Sequence, residues 1–327
     1  MRSYILRRIL LLIPTLLFVT MLVFFLASAV PGDVIDAMMA QPGAEDANYD
    51  REQLEKLFGL DVPKIVQYGR WMGILPRHAG SFSGLFQGDF GRSFWLRKSV
   101  IGEVVRALPV TIQLGLMSIV LSQLISLPIG IYSAVRQNTI GDHVGRSIAI
   151  LFLSIPLFWL GTIVIVYPAV WWGAIPSIRM IPFAVDPIRN LRMMILPSVV
   201  LSMSMAGTTM RMTRTMMLEV QRQDYIRSAW AKGLKEHVII VRHALKNALI
   251  PVVTIVGLQL PMLIGGTVIV EDIFNLPGMG RLLVAGIRNR DEPVIAGVVV
   301  LYAIGVMVIN LAVDMIYAFL DPRIRYK

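Results

Sequence analysis

The stretch YIRSAWAKGLKEHVIIVRHALKNALIP, residues 225–251, lies between two strongly apolar segments. Arg227, Lys232, Lys235, Arg242 and Lys246 oppose a single acid, Glu236, yet the stretch is rich in Ala, Leu and Ile and poor in loop formers. A connector between two helices needs only a handful of polar residues. A basic, helix-prone segment extending over residues 211–250 therefore calls for a partner or a surface. Which side of a membrane it faces decides how the whole chain is laid out.

The membrane itself follows from composition. The chain has 327 residues, 56% hydrophobic and 16% charged, with a mean hydropathy of +0.67, whereas a soluble domain is about 25% charged. The chain has no cysteine, so disulfides, thiolate chemistry and cysteine metal sites are excluded. The formal net charge of +10 points to an anionic partner. Its distribution across loops makes that partner the lipid bilayer, and nucleic acid is not expected.

Six apolar stretches are long enough for the roughly 20 helical residues that cross about 30 Å of hydrocarbon. They lie at 9–30, 108–135, 148–171, 193–210, 248–270 and 294–320. The fourth is diluted by Ser202, Ser204, Thr208 and Thr209. Arg2, Arg7 and Arg8 with the Ala27-Ser28-Ala29 triplet resemble a cleavable signal, but a signal's apolar region usually has 7–15 residues and this one is longer, so it reads as a retained helix. Eight basic residues against Glu219, Asp224 and Glu236 mark residues 211–246, and basic residues also dominate both ends of the chain. Residues 33–98 and 271–292 are close to neutral. The positive-inside rule then makes both termini and the quoted stretch cytoplasmic, against a mild contrary signal from 172–192. Residues 31–98, with Phe58, Tyr68, Trp71, Phe82, Phe90 and Trp95, read as a small extracytoplasmic subdomain.

Several chemistries are not written in the sequence. It contains no G-x-x-x-x-G-K-[ST] loop, G-x-S-x-G, H-E-x-x-H or EF-hand pattern. No catalytic residue and no metal ligand is expected. Ionisable groups are scarce within the spans, with Glu271 and Asp314 read near their ends, which disfavours a proton-driven carrier or an intramembrane protease. What the spans do hold is uncharged polarity, and Gln113, Ser122, Gln259 and Asn310 are the candidate pathway residues. Thr254, Gly257, Pro261 and Gly265 share one helical face, readable either as close helix packing or as a hydrated wall.

Within the quoted stretch, Asp224 suits an N-cap, Lys232 a last turn, and Gly233 the left-handed position after a helix. A short cytoplasmic helix, a glycine break and a second helix are predicted. Tyr225, Ile226, Ala229 and Trp230 exposed on such a helix would mark a protein contact, the alternative being a basic helix lying on anionic lipid.

These residues resemble the signature loop of inner-membrane permeases of ATP-binding-cassette importers, in the dipeptide/oligopeptide/nickel branch. Aligned on Gly233, the wider family's E-A-A-x-x-x-G becomes Arg227-Ser228-Ala229 here. "YILRRILLLIPTLL", "GDFGRSF", "LPVTIQLG", "SIPLFWLG", "VEDIFNLPGMGRLL" and "DPRIRY" carry the likeness along nearly the whole chain, and the stretch 72–86 has no assigned role in it. The resemblance implies an all-α polytopic membrane protein of the type I importer permease fold, multi-pass in a bacterial inner membrane. It divides the chain into residues 1–30, the subdomain 31–98, a five-helix core 99–320 containing the coupling segment 211–247, and the tail 321–327. It implies that Asp224, Tyr225, Ile226, Ala229, Trp230, Ala231, Lys232, Gly233 and Leu234 dock on an ATPase subunit. The implied partners are a second homologous permease, two ATPase subunits and an extracytoplasmic solute-binding protein. ATP and Mg would be held by the ATPase subunits, and no cofactor by this chain. The rival readings are a secondary transporter and a non-conducting membrane anchor; dipeptides, oligopeptides, nickel chelates and oligosaccharides all stay open as solutes.

Overall fold

The computed structural model describes residues 2–29, 32, 34–39, 51–76, 81–173 and 180–320. Helix α1 (Arg2–Ala29) is followed by short helices α2 (Val34–Met39), α3 (Arg51–Phe58) and α4 (Lys64–Met72). Then come α5 (Val100–Val135), α6 (Ile140–Ser154), α7 (Leu157–Trp172), α8 (Pro187–Gln221), α9 (Asp224–Ala231) and the single turn α10 (Glu236–Val238). A π-helical stretch (Ile239–Leu245) leads into α11 (Lys246–Ile273), and α12 (Met279–Arg288) and α13 (Glu292–Leu320) complete the order. Among the described residues the one pairing of extended backbone is an isolated antiparallel bridge between Arg92 and Ser99. The tail 321–327 lies outside the described residues.

Among the described residues five helices are long and apolar enough to cross a membrane: Leu10–Ala29, Val100–Val135, Pro187–Gln221, Glu236–Ile273 and Glu292–Met315. The straight span expected at 148–171 is instead a bent pair of helices, α6 and α7, that meet at 98°. The cause is Pro156. Its ring disfavours helical geometry at the preceding residue, and Ile155 is extended at φ −83°, ψ 121°. The motif SIPLFWLG is therefore a corner, not the interior of a helix. Helix α8 is much longer than 193–210, and the polar residues that diluted its signal include ones turned inward: Ser202 and Thr209 have no solvent exposure.

The chain forms two compact units. One comprises Met1–Val110 with Pro277–Val308, the other Thr111–Leu276 with Ile309–Lys327. In the second unit α6, α7 and α11 pack on α8. Small residues allow close approach. A Cβ on Gly207 of α8 would lie 2.8 Å from the Ala149 carbonyl oxygen of α6, and one on Gly130 of α5 would lie 2.9 Å from the Met210 carbonyl oxygen of α8. On α11 the packing glycine is Gly266, whose Cβ would meet Leu201 at 2.7 Å, whereas Gly265 of the face expected from the sequence has open space around it.

In the first unit, Phe24 of α1 packs against Tyr68 and Trp71 of α4, with ring centroids 5.4 and 5.8 Å apart. Val100 and Val104 of α5 and Val294, Ala296, Val298 and Val300 of α13 fill the same core. The motif GDFGRSF is fastened to the residue before α13. Ser93 Oγ donates to Asp291 Oδ2 at 2.5 Å, the Phe94 N–H donates to Oδ1 at 3.3 Å, and Trp95 Nε1 donates to the Asn289 carbonyl at 2.7 Å. Burial pushes the Asp291 carboxyl above the usual range, although these donors oppose the rise.

Two outcomes follow for the purified chain in detergent. Gly207→Ala should lower stability by about 1–3 kcal/mol, the usual cost of overpacking, while Gly115→Ala, with open space around it, should hold or raise it; thermal unfolding distinguishes the two. For Asp291 the folded carboxyl binds its proton more tightly than the unfolded one. Its contribution is full below pH about 4 and lost as pH rises through the raised value. The unfolding temperature should therefore fall more steeply above pH 4 in the parent than in Asp291→Asn, and parallel profiles would refute the assignment.

Candidate functional site

The basic stretch folds onto a single apolar cluster. Ala134 at the end of α5, Met217 near the end of α8, Ile226 and Ala229 of α9, Ile239 and Ala244 of the π stretch and Ala248 of α11 are all buried against one another. Helix α9 thus has an inner and an outer side. Ile226 (1% exposed) and Ala229 (7%) face the protein's own core, while Tyr225 (44%), Trp230 (51%) and Leu234 (38%) stand outside. This corrects the expectation that Ile226 and Ala229 are exposed. Positions 226 and 229 are three apart and share a helix face, and the chain's own helices already occupy it.

Asp224 does not cap α9 either. Gln223 is the capping residue, with no side-chain cap, and Asp224 begins the helix; its carboxylate lies 3.6 Å from Arg227. The other end matches the sequence. Gly233 is left-handed at φ +74°. Its N–H donates to the Trp230 carbonyl at 2.9 Å and that of Leu234 to Ala229 at 3.4 Å, the paired closure that satisfies the last carbonyls of a helix. Ala231 and Lys232 are exposed in this last turn. Asn247 Nδ2 donates to Tyr225 Oη at 2.8 Å, which ties α9 to the start of α11.

A buried ion pair holds the base of the site. Asp142, with no exposed side-chain surface, accepts from Arg214 Nε at 2.7 Å and Nη2 at 2.9 Å. It also accepts from the Asn138 N–H at 3.0 Å, and Thr139 caps α6 by accepting from the Asp142 N–H at 3.4 Å. One carboxylate thereby fixes the turn before α6 and joins it to α8. Arg136 reaches Glu236 at 3.2 Å across the same end.

Residues 126–326 match the family described as the binding-protein-dependent transport system inner membrane component, and residues 1–115 match that family's N-terminal region. The chain belongs to this family. Similar proteins include the oligopeptide transport system permease protein AppB of Bacillus subtilis, 42% identical over 330 residues, with both chains fully covered. The dipeptide transport system permease protein DppB of Escherichia coli is 34% identical over 350 residues, again with full coverage of both. Among solved structures, an inward-facing conformation of the MetNI methionine ABC transporter matches with a TM-score of 0.52 at 21% identity, over 67% of this chain and 96% of that one. The fold is that of an importer permease, and the secondary-transporter and anchor readings give way to a transport-system permease.

The permease's candidate pathway residues are dispersed, and no hydrogen bond joins any two of them among the described residues. Gln113 of α5 donates to Asn190 Oδ1 of α8, and Asn190 in turn donates to the Ile181 carbonyl at 2.8 Å. Ser122 is fully buried on α5, Gln259 is 9% exposed on α11, and neither side chain has a hydrogen-bond partner among the described residues. Asn310 of α13 is exposed. Sequence reasoning passed over Asp142, Arg214 and Asp291. The available signal was a charged residue standing within or beside an apolar run, since such groups are costly unless paired. Glu271 does lie in the last turn of α11, near the end of the span as expected, and there it is fully buried, with Thr111 Oγ1 donating to it at 2.6 Å.

Arg214→Leu leaves the buried Asp142 charge only its longer contact with Arg146 Nε at 3.5 Å and should cost up to about 3–5 kcal/mol. The double variant Arg214→Leu/Asp142→Leu should recover part of that loss. A double variant no more stable than Arg214→Leu in thermal unfolding would refute the pairing.

Proposed function

We propose that the chain forms half of the membrane pathway of an ATP-driven importer of di- or oligopeptides, and that α9 is its contact with an ATPase subunit. The observation that carries the second part is the division of α9. Tyr225 and Trp230 remain exposed on a helix whose other side is anchored in the chain's own core, and Leu234 is exposed just past its end. Apolar side chains held outward on a rigid base are what a protein partner needs. The peptide solute is supported by the names of the relatives above.

In this reading a second, homologous permease completes the pathway, two ATPase subunits bind ATP and Mg, and an extracytoplasmic protein delivers the solute. Residues 211–247 and both termini face the cytoplasm, and residues 31–98 face outward. Gln259, whose amide has no partner among the described residues, is the pathway residue with hydrogen-bonding capacity to spare. Gln113, Ser122 and Asn310 are assigned to the same pathway on their uncharged polarity.

The test separates the two sides of α9 in vesicles reconstituted with the whole transporter. Trp230→Ala should leave the complex assembled while lowering both peptide uptake and the stimulation of ATPase activity by loaded binding protein about tenfold or more, the loss of one interface anchor. Gly233→Val, strained at its positive φ by about 1 kcal/mol or more, should uncouple in the same manner, and Gly233→Asn less so. Ile226→Asp should instead prevent stable folding, because the charge enters the buried cluster. Normal coupling in both Trp230→Ala and Gly233→Val would remove α9 from the docking role.

A further inference from the structure

The first unit contains a cavity of about 550 Å³ that the transport reading leaves without a purpose. Its walls combine two kinds of residue. Phe24, Phe58, Trp71 and Phe94 make an apolar side, and Arg70, Arg92 and Arg97 make a cationic one. Among the described residues none of the three guanidinium groups has an ion-pair partner. The one carboxylate in the wall, Glu292, lies 3.5 Å from Lys64 and is thus already matched. Trp71 is 6% exposed, and its Nε1–H has no acceptor among the described residues. A buried indole donor beside three unmatched cations, in a cavity of ligand-binding size, fits an anion that also presents apolar surface.

The depth of the cavity narrows the choice. Helix α1 has 28 residues, about 42 Å at 1.5 Å per residue, close to the thickness of a bilayer with its headgroups. Phe24 stands five residues from the end of α1, about 7.5 Å in from it. Ala296 stands four residues into α13, about 6 Å in from that helix's start. The cavity therefore lies where headgroups meet hydrocarbon. On α1 beside Phe24, Met21, Leu22 and Leu26 are 52%, 43% and 61% exposed, an apolar surface that suits acyl chains.

We propose that this cavity binds the headgroup of an anionic phospholipid, with its phosphate against Arg70, Arg92, Arg97 and Trp71 Nε1 and its acyl chains along α1. Arginine suits phosphate through its planar fork of donors, and tryptophan is enriched at both interfaces of a membrane. A zwitterionic lipid would bring its own cation towards three arginines and should bind less well.

The experiment places the full-length chain in phosphatidylcholine nanodiscs containing a small fraction of phosphatidylglycerol brominated in its acyl chains, and reads quenching of tryptophan fluorescence. The signal from Trp71 is the difference between the parent and Trp71→Phe. Saturable quenching at low phosphatidylglycerol fraction is expected, and brominated phosphatidylcholine should give none beyond background. Replacing all three arginines with Gln should weaken the binding on the order of a hundredfold, at a typical contribution per cation near a lipid surface. Arg97→Gln alone, at an exposed position, should weaken it about fivefold and keeps the test informative if the triple variant fails to fold. Equal quenching by the two lipids, or unchanged binding in Arg97→Gln, would overturn the proposal. So would relief of quenching by millimolar inorganic phosphate, which would identify a free-anion site, or by a dipeptide, which would assign the cavity to a solute carboxylate.

Discussion

A carboxylate with no access to solvent must have its charge met inside the protein, and Asp142 meets it through the two-pronged guanidinium of Arg214. The cost of taking both ions out of water is recovered only when geometry is good and the remaining lone pairs are satisfied. Asp142 fulfils that condition, since it also accepts from the Asn138 backbone. The pair therefore fixes three things together: the turn after α5, the start of α6, and the position of α6 along α8. Because α8 runs on to Gln221 and α9 begins at Asp224, the ion pair also sets where the basic segment starts.

The same reasoning extends to uncharged groups. Hydrocarbon offers no hydrogen-bond partner, so polar side chains in a span turn inward or bond to their own helix. Ser198, Ser202, Thr209 and Thr213 of α8 are all fully buried, and Thr15, Ser154 and Thr162 return their hydroxyls to carbonyls four residues back. Helix α8 is thus polar because it is central, with α6, α7 and α11 packed around it. A hydropathy reading sees this as a weak span, whereas packing makes it the axis of the second unit.

How much of this could be read beforehand depended on whether the cause was local. Gly233 was legible because a left-handed helix end is set by one residue and its neighbours. The apolar spans within α1 and α13 were legible because bilayer thickness imposes their length, whereas α5 starts at Val100, ahead of the expected 108, and outruns that thickness. The corner at Pro156 was also locally encoded, yet the apolar run on both sides concealed it, since hydropathy does not register a missing N–H. The inward turn of Ile226 and Ala229 was not legible at all. An amphipathic helix declares that it has an apolar side, but not whether a partner or its own chain covers it. The Asp142–Arg214 pair joins residues 72 apart in sequence, and no window along the chain brings them together.

The π-helical stretch shows how the buried side of the basic segment is kept continuous. In an α-helix residues five apart diverge by about 140° around the axis, so Ile239 and Ala244 could not both face the cluster. Both are nevertheless buried in it, at 2% and 0% exposure. Widening the turn over Ile239–Leu245 brings them back to one side, and from Ala244 the ordinary spacing of four carries the buried line to Ala248 and Val252 on α11. The insertion thus lets one surface begin under α9 and continue into the membrane span without interruption. In the docking role proposed for Trp230, a displacement of α9 would press on Ile239 and Ala244 through Ile226 and Ala229, and so on α11. Coupling of this kind needs packed contacts more than charge, which explains why the segment's basic residues lie outside its core while small and branched apolar residues fill it.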